Sequence, residues 1–238
     1  MNNQTKGIMI TGIGVIALIP DSLIIRLVDE ATMTVAFWRA GLSGIAITIF
    51  LLITRGPKSL ISFSWPTIFF ATCYAINTIL YVIALSLTSV AATVFLLATA
   101  PVWALIISRI FLKEPFTTRM TLTVIFTMFG IAIISAGSSL NFGAFLGNLA
   151  ALGVAISLAI AFTIARSAPQ ISMIPATALS YIVAAIAVMP FVSSYTMEAM
   201  DWPKMLILGG ALLPLATCFM AIGPVSYTHL TLPTILLV

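Results

Sequence analysis

The sequence predicts an all-α membrane protein, a polytopic helical bundle with about eight transmembrane helices. Three observations predict it. Of 238 residues, 61% are hydrophobic and only 7% charged, whereas a soluble domain carries about 25% charged residues. Ten Lys/Arg, six Asp/Glu and one His cannot cover a water-facing surface, so lipid must be the solvent for most of it. The apolar residues also gather into unbroken runs near the roughly 20 residues that a helix needs to cross a hydrocarbon core of about 30 Å. These runs do not alternate as barrel strands would, and a helix satisfies its backbone groups without water.

The first span, residues 7–27, follows Lys6. It has no small-x-small cleavage site after it and reads as a retained helix rather than a signal peptide. The second, 34–53, ends at the turn formers Arg55-Gly56-Pro57. The third, 66–85, opens at Trp65-Pro66, and the fourth, 89–110, contains Pro101. The fifth, 120–136, closes on Gly137-Ser138-Ser139. The sixth and seventh are 143–165 and 174–193, and the eighth, 204–223, opens at Trp202-Pro203. Trp65 and Trp202 suit interfacial aromatic belts. Cys73 and Cys218 lie inside apolar runs without metal or disulfide spacing and read as buried apolar residues.

Basic residues orient such a bundle. With the N-terminus in the cytoplasm, Lys6, Arg55, Lys58, Arg109, Lys113, Arg119 and Arg166 fall inside, and only Arg26 and Lys204 fall outside. Arg39 lies within the second span and does not vote. The scattered positive charge therefore reads as an orientation signal and not as a nucleic-acid surface. The expected location is the cell inner (plasma) membrane, multi-pass, with the N-terminus cytoplasmic. A reporter active only outside the cytoplasm should be active when fused at Asn141 and silent when fused at Pro115. The reverse pattern would overturn this orientation.

The chain repeats at an offset of 137 residues. Trp65-Pro66 recurs as Trp202-Pro203, and the helices they open run to Ala84 and Ala221. Spans one to three thus align with spans six to eight. A five-span unit is odd, so its copy enters the membrane from the opposite side, and the two inverted halves place a site between them near the midplane.

One long stretch resembles a known family. Ala84-Leu85-Ser86-Leu87-Thr88-Ser89-Val90-Ala91-Ala92 leads to Ala100-Pro101-Val102, then Phe111-Leu112-Lys113-Glu114-Pro115 and Gly130-Ile131-Ala132. Pro20-Asp21-Ser22 with Arg26, and Phe37-Trp38-Arg39, belong to the same pattern. Over roughly residues 7–224 the chain resembles EamA-type transporters of the drug/metabolite transporter superfamily. The resemblance implies ten helices in two inverted five-helix repeats, and export or exchange of small metabolites, amino acids or drugs. The expected organisation is then a first repeat at 1–137 with five helices, and an incomplete second repeat at 138–224 with three. Residues 225–238, beginning Val225-Ser226-Tyr227-Thr228-His229, resemble one reading frame of a transposon-end adapter. They are expected to be a non-native tail, which removes His229, the only histidine, from the site candidates.

An ionisable group at the bilayer centre costs about 2.5–3.5 kcal/mol on insertion scales, so Asp21 and Arg39 are the sharpest candidates. Asp21 lies about 21 Å along its helix from Gly7, in the outer third, and Arg39 enters the second span from the same side. With Arg26 they are read either as a cluster for substrate charge or proton coupling, or as a structural ion pair with snorkelling arginines. Tyr74, Asn77, Thr78 and Tyr81 fall at helical spacing on one face. They either line a polar cavity or hydrogen-bond neighbouring helices. Trp103 follows the kink expected at Pro101 and either lines the cavity, of which the resemblance makes this helix a wall, or simply packs; Asn148 reads as a lone mid-span amide that either lines the cavity from the second half or bonds a neighbouring helix. Gly210, Pro214, Thr217 and Ala221 read as a packing face.

Gly41-Leu42-Ser43-Gly44 matches a G-x-S-G pattern and raises an intramembrane hydrolase using Ser43. With no histidine or deep lysine in a span to take the serine proton, a packing patch is the better reading. A channel or receptor is the other alternative to a carrier. No GxxxxGK[ST] loop, metal set or cofactor motif is present in the sequence. The expected partners are a small-molecule substrate and the lipid bilayer, with proton coupling and a homodimer left open.

Overall fold

The computed structural model describes residues 3–57, 64–112, 122, 124–127, 129–130, 142–168 and 173–219. Lys58, the Lys113-Glu114-Pro115 turn, Arg119, most of the fifth span, Ala221 and the 225–238 tail lie outside the described residues. The chain is a polytopic all-α membrane protein. Its helices are α1 (Asn3–Leu27), α2 (Thr32–Arg55), α3 (Trp65–Leu87), α4 (Val90–Leu97), α5 (Ala100–Leu112), α6 (Phe142–Ser167), α7 (Met173–Val188) and α8 (Trp202–Phe219). Six stretches among the described residues are long and apolar enough to cross a membrane, with α4 and α5 together forming one of them. At 25 residues α1 is also of spanning length. Within 120–136, the described residues are helical.

Local chemistry sets the ends of these helices. α2 stops at Gly56, whose φ of 75° is left-handed and whose N–H bonds the Leu52 carbonyl. The Ser64 hydroxyl caps α3 by accepting from the Thr67 amide, with Pro66 in the first turn. Ser89 caps α4 in the same way through Ala92, leaving only Thr88 and Ser89 between α3 and α4.

Two prolines distort spans that remain helical overall. Pro101 offers no N–H to the Leu97 carbonyl, and the fourth span breaks into α4 and α5 around Ala98-Thr99. The Thr99 carbonyl takes the Val102 amide at 2.9 Å across the break. In α8, Pro214 cannot donate to Gly210 and its ring crowds that carbonyl. The helix widens there into a π turn over Leu208–Leu212, with the Leu213 amide bonding Leu208 five residues back.

The outward residues are apolar, as lipid requires. On α1, Ile16, Ile19 and Leu23 are exposed while Asp21 and Ile25 are buried, as is Val28 just past its end. Inside, α2 packs on α7 and on the π turn of α8, α3 packs along α6 and α7, and α4 and α5 lie on α6. Glycine permits the closest approaches: a Cβ on Gly44 would meet Ile182 Cγ1 at 2.9 Å, and one on Gly147 would meet the Thr88 amide nitrogen at 2.8 Å. Gly41 and Gly44 of the G-x-S-G pattern thus face α7, and the Ser43 hydroxyl donates to the Arg39 carbonyl of its own helix at 2.7 Å. One member of the packing face expected on α8 is corrected: Pro214 is buried and Thr217 reaches Tyr181, but Gly210 has nothing within 4 Å, and the adjacent Gly209 makes the contact, against Leu42 and the Arg39 carbonyl. The π turn rotates the helix by part of a turn, which a face drawn at regular helical spacing does not anticipate.

The ends of α1 and α2 at their connection are stitched to the segment between α7 and α8. Thr34 donates to the Ser194 carbonyl, the Trp38 indole to the Tyr195 carbonyl, and the Glu198 amide to Glu30. Buried Asp201 accepts from the Asp29 amide and pairs with Lys204, which also donates to the Leu27 carbonyl. The rings of Trp38 and Trp202 meet edge to face at 4.7 Å. Trp202 is therefore part of a packed aromatic group, while Trp65 stands 76% exposed.

Candidate functional site

Asp21 of α1 and Arg39 of α2 form a bidentate ion pair inside the bundle. Arg39 Nε donates to Oδ1 at 3.1 Å and Nη2 to Oδ2 at 2.7 Å, with both side chains 6% exposed. The two charges sit at similar heights, each about two turns from the end of its helix at the α1–α2 connection. A planar guanidinium matches a carboxylate in this fork geometry, and both charges are hydrogen-bonded. The Arg39 carbonyl is the atom against which Gly209 of the π turn packs, so the backbone behind the pair is held from two helices.

Aromatic rings continue the site. Arg39 lies over the Tyr81 ring at 5.3 Å, a cation–π arrangement, and Ser22 stands beside the Tyr81 hydroxyl. About two turns further along α3, Tyr74 meets Tyr181 edge to face at 6.0 Å and stacks on Phe70 at 5.7 Å. Tyr181 also interacts with Thr217. Side chains from α1, α2, α3, α7 and α8 thus surround one charged pair. Among the described residues no buried side-chain nitrogen or oxygen lacks a partner, as a low-dielectric interior demands. Above this group, a cleft of about 170 Å³ opens between the α1–α2 connection and the end of α3, and Val35 and Val82 line its floor.

The structure gathers some predicted residues and separates others. Asp21, Arg39, Tyr81 and Tyr74 come together. Arg26 does not join the pair: its guanidinium donates to the Thr88 carbonyl at the α3–α4 turn. The face expected from Tyr74 to Tyr81 divides between neighbours. Asn77 turns to α6 and donates to the Val154 carbonyl at 2.9 Å, and Thr78 bonds the Tyr74 carbonyl of its own helix. Trp103 donates to the Thr99 hydroxyl across the proline break. Asn148 lies near the start of α6, not midway along it, where its carbonyl oxygen accepts from the Thr88 hydroxyl at 2.9 Å. Tyr181 was not anticipated. A lone tyrosine within the aliphatic seventh span was the available signal, but its pairing with Tyr74 is long-range.

This division predicts a labelling pattern. In a Cys-free background, cysteine at Tyr81 should react with a small water-soluble thiol reagent. Cysteine at Leu80, which packs against Gly153, or at Asn77, which faces α6, should not. Equal reactivity at all three positions would remove Tyr81 from any water-accessible cavity.

A multi-span helical bundle that buries an ion pair among its spanning helices defines an integral membrane protein, and a charge pair at that depth is a candidate functional site. The model of the EamA-like transporter family matches residues 8–136, more than half of the sequence, and the chain belongs to that family. It is accordingly a membrane transporter of small molecules. No curated protein matches the chain.

Proposed function

We propose that the protein is a secondary transporter that exports a small metabolite, amino acid or drug by alternating access, with Asp21 and Arg39 as its charge-responsive site. The observation that carries this reading is the bidentate pair, buried, roofed by Tyr81 and set beneath an outward cleft. Such a pair has two ways to open. A proton on Asp21 removes its charge, or an anionic group of the substrate takes its place on Arg39. Either change unbalances a buried charge, and rearrangement of the surrounding helices relieves the imbalance. Tyr74, Tyr81 and Tyr181 then offer aromatic faces to the body of the substrate. Asn77, Trp103 and Asn148 serve by fixing α3, α5 and α6 through the hydrogen bonds described above.

Rocking between two inverted repeats, 1–137 and 138–224, supplies the motion. The packing supports this division. α2 and α7 occupy equivalent places in the two repeats and pack on each other. The α3–α6 pair has as its counterpart the contact of α1 with the π turn of α8. The family match also ends one residue short of the proposed boundary. The same reading makes the chain a non-enzyme, since the Ser43 hydroxyl proton is committed to the Arg39 carbonyl. It also places the N-terminus in the cytoplasm. A metabolite and drug efflux screen of expressing cells tests the reading: Asp21→Asn should abolish the efflux that the parent confers while leaving most of the protein in the membrane. Equal loss of efflux and abundance would make the pair structural.

A further inference from the structure

Connections between packed helices usually run about 2–8 residues, whereas α7 ends at Val188 and α8 begins at Trp202. The stretch 192–201 uses this length to cover the α1–α2 connection. Most of its residues are exposed, and only Met197 and Asp201 are buried. Met197 enters the apolar cluster of Ile25, Val28 and Val35. Tyr195 sets its ring edge to face on Phe37 at 5.4 Å, and Phe37 packs inward on the cluster that holds Tyr181. The polar anchor is Asp201. It stands one residue before α8, where an aspartate ordinarily caps its own helix. Ser64, 137 residues earlier and in the same place before α3, caps that helix through the Thr67 amide. Asp201 gives α8 no side-chain cap. Its Oδ2 accepts from the Asp29 amide instead, and its Oδ1 holds Lys204, whose ammonium also donates to the Leu27 carbonyl. The carboxylate and its lysine thus tie α8 to the end of α1, the helix that carries Asp21 about two turns back.

We propose that the 192–201 stretch is the gate over the α1–α2 end of the bundle and that Asp201 is its latch, a positioning residue that holds α1 in the closed arrangement. The gate rests on the alternating-access reading, but its test needs no transported compound, so the two fail separately. Most of the bonds that hold the stretch lie at exposed residues, where water replaces them when it lifts, and little packing is broken. Release of Asp201 and Lys204 frees the end of α1, and Phe37 loses the Tyr195 ring that covers it. Movement of α1 carries Asp21 with it, which links the latch to the buried pair.

The test is the rate at which a small water-soluble maleimide labels single cysteines in the full chain, freed of its native cysteines, in phosphatidylcholine nanodiscs that leave both faces open. Ala36→Cys reports the end under the stretch, where Ala36 is buried in the cluster that receives Met197. Ala176→Cys reports the opposite end, where Ala176 is buried with Phe70 and Ala161. Asp201→Ala should raise labelling at position 36 about fivefold or more and lower it at position 176 about twofold or more, because opening one end draws population from the other. Thr34→Val keeps the shape of its side chain and loses only the bond to the Ser194 carbonyl. It should move both rates in the same directions by a smaller factor, and it carries the test if Asp201→Ala does not fold. Opposite movement marks a gate, since loosening a stretch that only stabilises the bundle would raise both rates. A rise at both ends, a rise at position 36 alone, or unchanged labelling in folded Asp201→Ala would overturn the proposal. The same results in Thr34→Val would do so where Asp201→Ala does not fold.

Discussion

Asp21→Asn should reduce transport about a hundredfold or more while leaving most of the protein inserted, and adding Arg39→Gln should recover the remaining abundance without restoring flux. Breaking a buried pair leaves one charge uncompensated and costs about 3–5 kcal/mol. A loss of that size in the transport barrier corresponds to a factor of about 10² to nearly 10⁴. Asparagine keeps the shape of Asp21 and one acceptor for Arg39, so the fold bears less of the loss than the transport cycle does. In the double variant both sites are neutral and can hydrogen-bond, which removes the folding penalty. The charge response is gone, so flux stays absent. Initial rates in proteoliposomes, normalised to inserted protein, measure this. Full activity in the double variant would show that the pair only holds α1 to α2.

The neighbouring glycines of α8 should respond oppositely to the same substitution. Gly209→Ala places a Cβ 2.8 Å from Leu42 Cβ and 3.2 Å from the Arg39 carbonyl. Backbone and the stem of a side chain cannot swing aside, so the π turn must move off α2. Overpacking of this kind costs about 1–3 kcal/mol, and it shifts the backbone behind Arg39, so both thermal stability and transport should fall. Gly210→Ala meets nothing within 4 Å, and alanine favours helix over glycine by about 0.5–1 kcal/mol. It should leave transport intact and hold or raise the melting temperature. Unfolding curves of the two purified variants decide the matter. Similar curves would show that the π turn does not seat against α2.

Much of this fold is legible in the sequence because lipid imposes strict conditions. Span length, the break at Pro101 and the helix openings at Trp65-Pro66 and Trp202-Pro203 follow from backbone satisfaction and proline chemistry, and the structure places them where expected. Asp21 and Arg39 are also legible, because an intramembrane charge is costly and two opposite ones at one depth attract. The directions of uncharged side chains are far less so. In water, a polar face marks the outside of a helix. In lipid, both the outward and the packed faces are apolar, and periodicity no longer separates them. Hence Asn77 could be assigned to a face with Tyr74 and Tyr81 although it bonds α6. Asn148 could be placed mid-span because nothing local marks where α6 meets the Thr88 turn. The exchange of Gly210 for Gly209 has a different origin: a π turn set by Pro214 changes the helical phase, and the proline alone does not state by how much.

Counterflow tests the central claim most directly. Proteoliposomes are loaded with a compound that expressing cells export, then diluted into a trace of the same compound in labelled form. A carrier that alternates between two faces should accumulate the label transiently above its equilibrium level, with a rate that saturates, and Asp21→Asn should abolish that overshoot. Entry of label that rises only to equilibrium, with no overshoot at any internal concentration, would show a channel and contradict the alternating-access account.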